Sequence, residues 1–243
     1  MRGFLKIGFS KGLLRCAAAA FFCAGTFALA AVAPREKSTT LDLKEILARM
    51  DEAGSHLKTV SAKLEYTKVT VLVNDRSTEY GQLDFRKSKS PDILLKFEKP
   101  DRKVILFKKN KAEIFLPKTN QIQEYDLEKH SGLVQQFLLL GFGTNTNELK
   151  KSYEIKYTGE EQMGGNSAAV LELTPRESKV ASQLTRIQLW ISEESWLPIQ
   201  QKFFEPGGDY LLTHYTSVRV NRWIPASTFR IKAPANAQRV KMQ

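Results

Sequence analysis

Residues 80–127 read YGQLDFRKSKSPDILLKFEKPDRKVILFKKNKAEIFLPKTNQIQEYDL, and the fold turns on how this stretch is punctuated. Five runs rich in β-branched, leucine or aromatic residues stand out: Tyr80–Phe85, Ile93–Phe97, Lys103–Phe107, Glu113–Leu116 and Gln121–Tyr125. Each break between them carries Pro, Asn, Asp or a lysine cluster, the residues that end strands and set turns. The pattern predicts an antiparallel meander. Leu83 and Phe85 alternate with Gln82, Asp84 and Arg86, and Ile93, Leu95 and Phe97 alternate with Lys96 and Glu98. A period of two gives such a sheet one apolar face and one wet face. Something must cover the apolar face.

Toward the N-terminus, Val60–Val73 reads as a long first strand, and Asn74-Asp75 as the turn into the meander. Before it, Leu43, Ile46, Leu47, Met50 and Leu57 recur at helical spacing, with Lys44, Glu45, Arg49 and Glu52 on the opposite side. That spacing predicts an amphipathic helix over 41–58, with Thr40 as N-cap and Gly54 weakening the last turn. Toward the C-terminus, Leu133, Val134, Phe137, Leu138, Leu139, Leu140 and Phe142 crowd together, and Gly141 and Gly143 close the run. A short helix apolar on all sides is expected there, buried or covering something apolar. Glu148–Lys151 predicts a helical turn. Strands then resume at Tyr153–Tyr157, Ala168–Leu173, Thr185–Ile191, Ile199–Phe204, Tyr210–Val220 and Thr228–Ile231. Met163-Gly164-Gly165-Asn166 and Pro206-Gly207-Gly208-Asp209 are hairpin signals. About a dozen strands in succession call for a strongly curved sheet or barrel rather than a flat one. The helices either plug this sheet outright or cap it incompletely and leave a ligand cavity. Periodicity alone does not separate the two.

Arg2, Lys6, Lys11 and Arg15 precede an apolar run, Cys16–Leu29, which ends in Ala28-Leu29-Ala30. A basic region, a short apolar core and a small-x-small site make residues 1–30 an expected cleavable signal peptide. The run is also shorter than the roughly 20 residues needed to span a bilayer. Both cysteines, Cys16 and Cys23, lie inside this segment, and Arg15 and Phe22 before them do not fit a lipid-anchored cysteine. The expected exported chain, 31–243, then has neither disulfides nor thiol chemistry and needs a proper core. The formal charge is +11, and without the four leader cations 33 Lys+Arg face 26 Asp+Glu. The excess concentrates between Arg86 and Lys111. For an exported protein this points to an acidic partner or an anionic membrane surface rather than to nucleic acid. Equally, these lysines guard turns and strand edges against aggregation.

Catalytic signatures are thin. His56, His130 and His214 have no second histidine or carboxylate at ligand spacing, and no metal or other cofactor is expected. Neither a G-x-S-x-G elbow nor a phosphate-cradling glycine loop occurs. Glu160-Glu161 and Glu193-Glu194 are sequence neighbours, which point to opposite faces of a strand. The chain is not expected to be an enzyme. Trp190, Trp196 and Trp223, with Tyr210 and Tyr215, read either as stacking platforms or as the core and rim of a β protein.

The order of these pieces resembles the LolA-type carriers and the wider family of outer-membrane lipoprotein-sorting proteins. The likeness rests on five stretches: LARMDEAGSHLKTVSAKLEYTK, GQLDFRKSKSPDILLKFEKP, KVILFKKNKAEIFLPKTNQIQEY, IQLWISEESWLPIQQKFFE and STFRIKAPANAQRV. They span residues 41 to 240, and each is weak alone. The resemblance implies a mainly β fold: an incomplete, strongly curved antiparallel β-barrel of about 11–12 strands with 2–3 helices as a lid. Residues 31–243 would form a single lipid-binding domain. It also implies a monomeric periplasmic carrier that holds the acyl chains of lipoproteins, or another lipid, and moves them toward the outer membrane. An inner-membrane release complex and an outer-membrane acceptor would be its partners. A non-transporting lipid- or lipoprotein-sensing or structural module on the same fold is the alternative. On this reading Leu43, Leu47 and Met50, with Phe137, Leu138 and Phe142, form the lid. Phe85, Leu95, Phe97, Ile187 and Leu189 form the cavity floor, and Arg86, Lys87, Lys89, Lys108 and Lys109 dock the partner. The chain departs from the family at Ser90, where the family has an arginine that bonds the lid, and Arg86 and Lys89 are the candidates to replace it. It departs again at Asn110-Lys111, which stands in place of an Asp-Gly turn.

Overall fold

Leu43, Ile46, Leu47, Met50 and Leu57 lie along one stripe, and the chain coils there into helix α1 (Leu43–His56). Its N-cap is Asp42 rather than Thr40: the Asp42 carboxylate accepts from the Glu45 backbone N–H at 2.7 Å, satisfying one of the donors a helix start leaves open. This computed structural model describes residues 41–127, 140–143 and 145–242. The expected signal peptide and residues 128–139, which include Phe137 and Leu138, lie outside the described residues.

The 80–127 stretch forms the meander its punctuation predicts. After β1 (Thr59–Thr70) come β2 (Asp75–Arg86), β3 (Asp92–Lys99), β4 (Lys103–Lys108), β5 (Lys111–Leu116) and β6 (Gln121–Asp126). A short helix α2 (Thr146–Ser152) leads into a second meander: β7 (Tyr153–Met163), β8 (Asn166–Pro175), β9 (Arg186–Ser192), β10 (Pro198–Phe204) and β11 (Tyr210–Val220). One turn of helix, α3 (Ser178–Ala181), sits between β8 and β9. The last strand of the second meander returns to pair with the first strand of the first, Leu64 opposite Tyr215 and Tyr66 opposite Thr213. With the final strand β12 (Gln238–Lys241), twelve strands among the described residues share one sheet in the order β12-β6-β5-β4-β3-β2-β1-β11-β10-β9-β8-β7. It curls without closing, because β12 and β7 remain its two edges. A sheet this wide with an apolar inner face curls rather than lying flat.

One expectation fails at the C-terminus. Thr228–Ile231 is not a strand: Ala226–Thr228 forms a 3-10 turn, and the final strand is β12 (Gln238–Lys241), parallel to β6. The alternation of Thr228–Ile231 comes from packing without pairing. Phe229 is buried on the outer face of the sheet among Leu94, Leu106, Val104, Ile224 and Ile231. The Arg86 guanidinium lies over its ring at 4.9 Å, and Lys108 Nζ donates to its carbonyl at 3.2 Å.

Inside the curl are two apolar clusters. One joins Ile46, Leu47 and Met50 of α1 to Leu171, Leu173, Ile187, Leu189 and Ile191 of the second meander. The other gathers Val60, Leu64, Leu83, Phe85, Ile93, Leu95 and Phe97 with Leu57, Phe142 and Tyr215. Helix α1 reaches both, and polar contacts fix it. The Asp51 carboxylate accepts from the Thr146 N–H at 2.8 Å and from its hydroxyl at 2.6 Å, and Asn221 Nδ2 donates to the His56 carbonyl at 3.0 Å. Gly54 does more than weaken the last turn: a Cβ there would stand 2.8 Å from Gly143 Cα. Its glycine lets the backbone of 140–143 lie directly against the helix.

Phe229→Ala is expected to destabilise the fold by about 3–5 kcal/mol, the usual cost of a buried phenylalanine. Urea unfolding would measure it, and a loss below about 1 kcal/mol would mean that Phe229 does not pin the C-terminal segment.

Candidate functional site

Period-two alternation sends Leu83, then Ile93, Leu95 and Phe97, then Ile105 and Phe107 to the inner face of β2, β3 and β4. Leu64 and Tyr66 of β1 and Leu211, Thr213 and Tyr215 of β11 face them. Between these walls lies a cavity of about 500 Å³. The loop residues Gln183 and Leu184, together with Gln201, Phe203 and Glu205 of β10 and the residue that follows it, line its remaining side. The volume falls within the range of about 300–1,000 Å³ typical of small-molecule sites. Most lining side chains are aliphatic or aromatic.

The polar groups are few and localised. Lys103 Nζ bonds both Glu79 carboxylate oxygens, at 2.8 and 2.7 Å, and lies 4.7 Å above the Phe97 ring. Among the described residues Glu205 has no such cation, so this end of the cavity carries two carboxylates against one ammonium. Burial, and after it the charges of Glu79 and Glu205, hold the Tyr66 phenol above its ordinary value. Deeper in, Gln201 Nε2 donates to the Leu140 carbonyl at 2.6 Å, and the Tyr215 hydroxyl donates to Gln201 Oε1 at 3.1 Å. Gln201 is 1% exposed and Tyr215 7%. Both polar groups are thus satisfied inside the protein, as buried ones must be. Phe142 meets the Tyr215 ring edge-on at 5.1 Å, so the 140–143 segment is tied to the cavity wall by a hydrogen-bond relay and a ring contact.

Of the expected acyl-binding residues, Leu95 and Phe97 line the cavity. Phe85 and Phe142 are buried in the cluster around it. Leu47, Met50, Ile187 and Leu189 are brought together, but in the closed core on the α1 side, with the half-buried Leu43 packed against them. Ile187 and Leu189 are fully buried, so they support the helix and are not cavity floor. The strand pattern gives them the correct face; the position of α1 along the trough decides that they are covered. The sequence pattern alone does not single out Ile105, Phe107, Phe203, Leu211 or Gln201 as lining residues, and of its two readings of Tyr215 the buried wall position fits the core one. The alternation that selected Leu95 and Phe97 extends to Ile105 and Phe107. Nothing local marks Gln201, which depends on a carbonyl 61 residues away.

The expected docking cations divide. Arg86 pairs with Asp92 and lies over Phe229, Lys108 holds the Phe229 carbonyl, and Lys87 Nζ donates to the Gly54 carbonyl of α1 at 2.8 Å. These three fasten the chain to itself. Lys89 and Lys109 are exposed. Neither Arg86 nor Lys89 bonds α1 from the strand end beside Ser90; Lys87 does. Trp190 is buried with its indole N–H on Glu161 at 2.8 Å, and Arg49 covers the Trp196 ring at 4.7 Å, so neither is an open stacking platform. Among the described residues no group of three His, Cys, Asp or Glu side chains is arranged to hold a metal.

The site therefore sits in a curled, unclosed, mainly antiparallel sheet with a helix across its inner face and a cavity beside that helix. Residues 94–232 match a family described as "Uncharacterized protein"-like, and since that span exceeds half of the sequence, the chain belongs to this family. No curated protein matches the sequence. Among solved structures, MucB superposes with a TM-score of 0.51 at 15% identity, over 80% of this chain and 64% of MucB. A conserved protein from Thermus thermophilus superposes with a TM-score of 0.50 at 14% identity, over 82% of this chain and 98% of that one. A LolA superfamily protein from Nitrosomonas europaea matches over 79% of this chain and 98% of its own, at 14% identity and a TM-score of 0.38. Likeness at these identities concerns the fold. The chain spans less than two thirds of the MucB structures.

Burial pushes the Tyr153 phenol up to about 12 and raises that of Tyr215 as well. An unfolded chain releases these protons near pH 10 while the folded protein keeps them. The resulting stabilisation is complete below pH 10 and is lost as pH climbs through 12. The denaturant midpoint is therefore expected to fall over that window, less steeply in Tyr153→Phe. Equal slopes in the two proteins would contradict the assignment.

Proposed function

We propose that this protein is a periplasmic carrier that holds lipid acyl chains, those of lipoproteins or of another lipid, in the cavity between β1–β4 and β10–β11 and moves them toward the outer membrane. One observation carries the reading: about 500 Å³ of space walled by Leu64, Leu83, Ile93, Leu95, Phe97, Ile105 and Phe107, beside a core that α1 has already filled. Each methylene withdrawn from water contributes about 0.8 kcal/mol, so one chain in such a space supplies ample affinity. The chemistry is binding and release, and no catalytic step is proposed. The basic leader with its short apolar core supports export, and the LolA-like fold supports a lipid cargo.

The second reading is a sensing or interaction module that does not pass cargo on. MucB, which has the same fold, has been solved with MucA. In this chain Lys63, Lys96 (paired with Asp84) and Lys99 line, together with Glu98, a cleft of about 530 Å³ on the outer face, a place where an acidic protein segment would fit. The two readings differ in whether bound lipid reaches an acceptor membrane.

A fluorescent apolar probe bound by the purified protein is expected to be displaced by a triacylated lipopeptide and not by its unacylated twin. Failure of the folded protein to bind any probe would overturn both lipid readings. The carboxylate of Glu205 adds a test of selectivity. A fatty-acid anion is expected to compete less well than the uncharged monoacylglycerol of the same chain length. Glu205→Gln should raise the anion's affinity roughly four- to tenfold, the scale of one charge at short range in a screened site, and leave the neutral lipid unchanged. Equal effects on both lipids would remove Glu205 from the mouth of the site.

A further inference from the structure

The turn between β1 and β2 is built from Val71, Leu72 and Val73, which are 51%, 93% and 68% exposed. Hairpin turns ordinarily hold polar or small residues, because the turn needs left-handed backbone or local hydrogen bonds and not apolar side chains. Here Asn74 supplies the left-handed position, at φ 49°, so the fold gives no reason for three large apolar residues before it. The tip is also braced: the Val71 N–H donates to the Asp209 carboxylate at 2.8 Å, tying it to the neighbouring β10–β11 turn. Behind it on the same ribbon stand the exposed Lys68 and Arg76, in adjacent registers, with Asp75 the exposed carboxylate between tip and cations.

Strand register places this tip at the charged end of the cavity. Lys68 pairs with the cavity-lining Leu211, Tyr66 pairs with Glu79, and the Glu205 backbone bonds that of Asp209 across the turn. We propose that the Val71–Leu72–Val73 tip inserts into the surface of a lipid bilayer, with Lys68 and Arg76 against anionic headgroups, and so brings the charged end of the cavity to the membrane. Three side chains on one turn are far too few for a protein interface, which needs about 800 Å² per partner. They suit shallow burial at the headgroup boundary, where apolar residues with cations behind them are held by both terms. The inference does not depend on what the cavity holds.

The test is co-sedimentation of the purified protein with vesicles of phosphatidylethanolamine and phosphatidylglycerol, and with vesicles of phosphatidylcholine alone. Leu72→Asp is compared in the same preparation, so that any contribution of the N-terminal segment is common to both proteins. Wild type is expected to bind the anionic vesicles more tightly, and Leu72→Asp to lose roughly tenfold or more in partition, the scale of withdrawing one leucine from an apolar phase. Leu72 lies outside both clusters, so the variant should keep its thermal midpoint and its uptake of an apolar probe. That readout separates a failure here from a failure of the lipid-cavity reading. An environment-sensitive label on Leu72→Cys should shift to the blue on adding anionic vesicles. Equal vesicle binding by wild type and Leu72→Asp, or an unshifted label, would overturn the proposal. So would a wild-type protein that self-associates and becomes monomeric in Leu72→Asp, because the tip would then serve a second copy of the chain.

Discussion

A single helix cannot cover the inner face of this sheet. Helix α1 has 14 residues, so it is about 21 Å long and about 10–12 Å across. Neighbouring strands lie about 4.8 Å apart, and such a helix spans two or three of them where the sheet has twelve. Its apolar stripe settles on β8 and β9, where Ile46, Leu47 and Met50 meet Leu171, Leu173, Ile187 and Leu189. Among the described residues, the remaining apolar wall, from β1 to β4 and across to β10 and β11, is left beside it. Among the described residues, the cavity is what remains of a hydrophobic face wider than the helix that lies on it.

Polar contacts decide where that helix stops. Asp51 holds the start of α2, Lys87 grips the Gly54 carbonyl and Asn221 takes that of His56. Each gives a backbone group near a helix terminus a side-chain partner. Gly54 and Gly143 let the 140–143 segment lie flat on the helix, and Gln201 fastens its carbonyl to the wall beneath. These bonds contribute modestly each, about 1 kcal/mol net, but they are directional. Apolar contact makes the helix bind the sheet; the fasteners choose the position that leaves the cavity open.

The two faces of the sheet are used differently. On the outer face, Phe229 and its neighbours seal Leu94 and Leu106, with Arg86 and Lys108 as clasps. Two residues of the basic stripe in the sequence, Arg86 and Lys108, are thereby spent on holding the C-terminal segment. On the inner face the lysine that matters is Lys103, neutralised by Glu79 and lying over Phe97, so the cavity presents aliphatic walls and a short charged rim. The inner face thus offers an apolar cavity, while this part of the outer face is covered by the C-terminal segment.

Local pattern by itself determined a good deal. Punctuation by Pro, Asn and Gly, together with alternation at period two, marked eleven of the twelve strands and the sides that Leu95, Phe97, Ile187 and Leu189 occupy. Helical spacing marked α1, because propensity and alternation act within a few residues and survive in any context. Three things were settled only by tertiary structure. Which apolar residues are wall and which are core depends on where α1 comes to rest, so Ile187 and Leu95 look alike in sequence and differ in fate. Whether a cation is a clasp or a free charge depends on partners far along the chain, as Lys87, Arg86 and Lys108 show. Thr228–Ile231 alternates like a strand yet packs as an apolar strap, since burial on the outer face needs the same pattern whether or not a neighbour offers hydrogen bonds. Sequence sets the faces; long-range packing sets what lies against them.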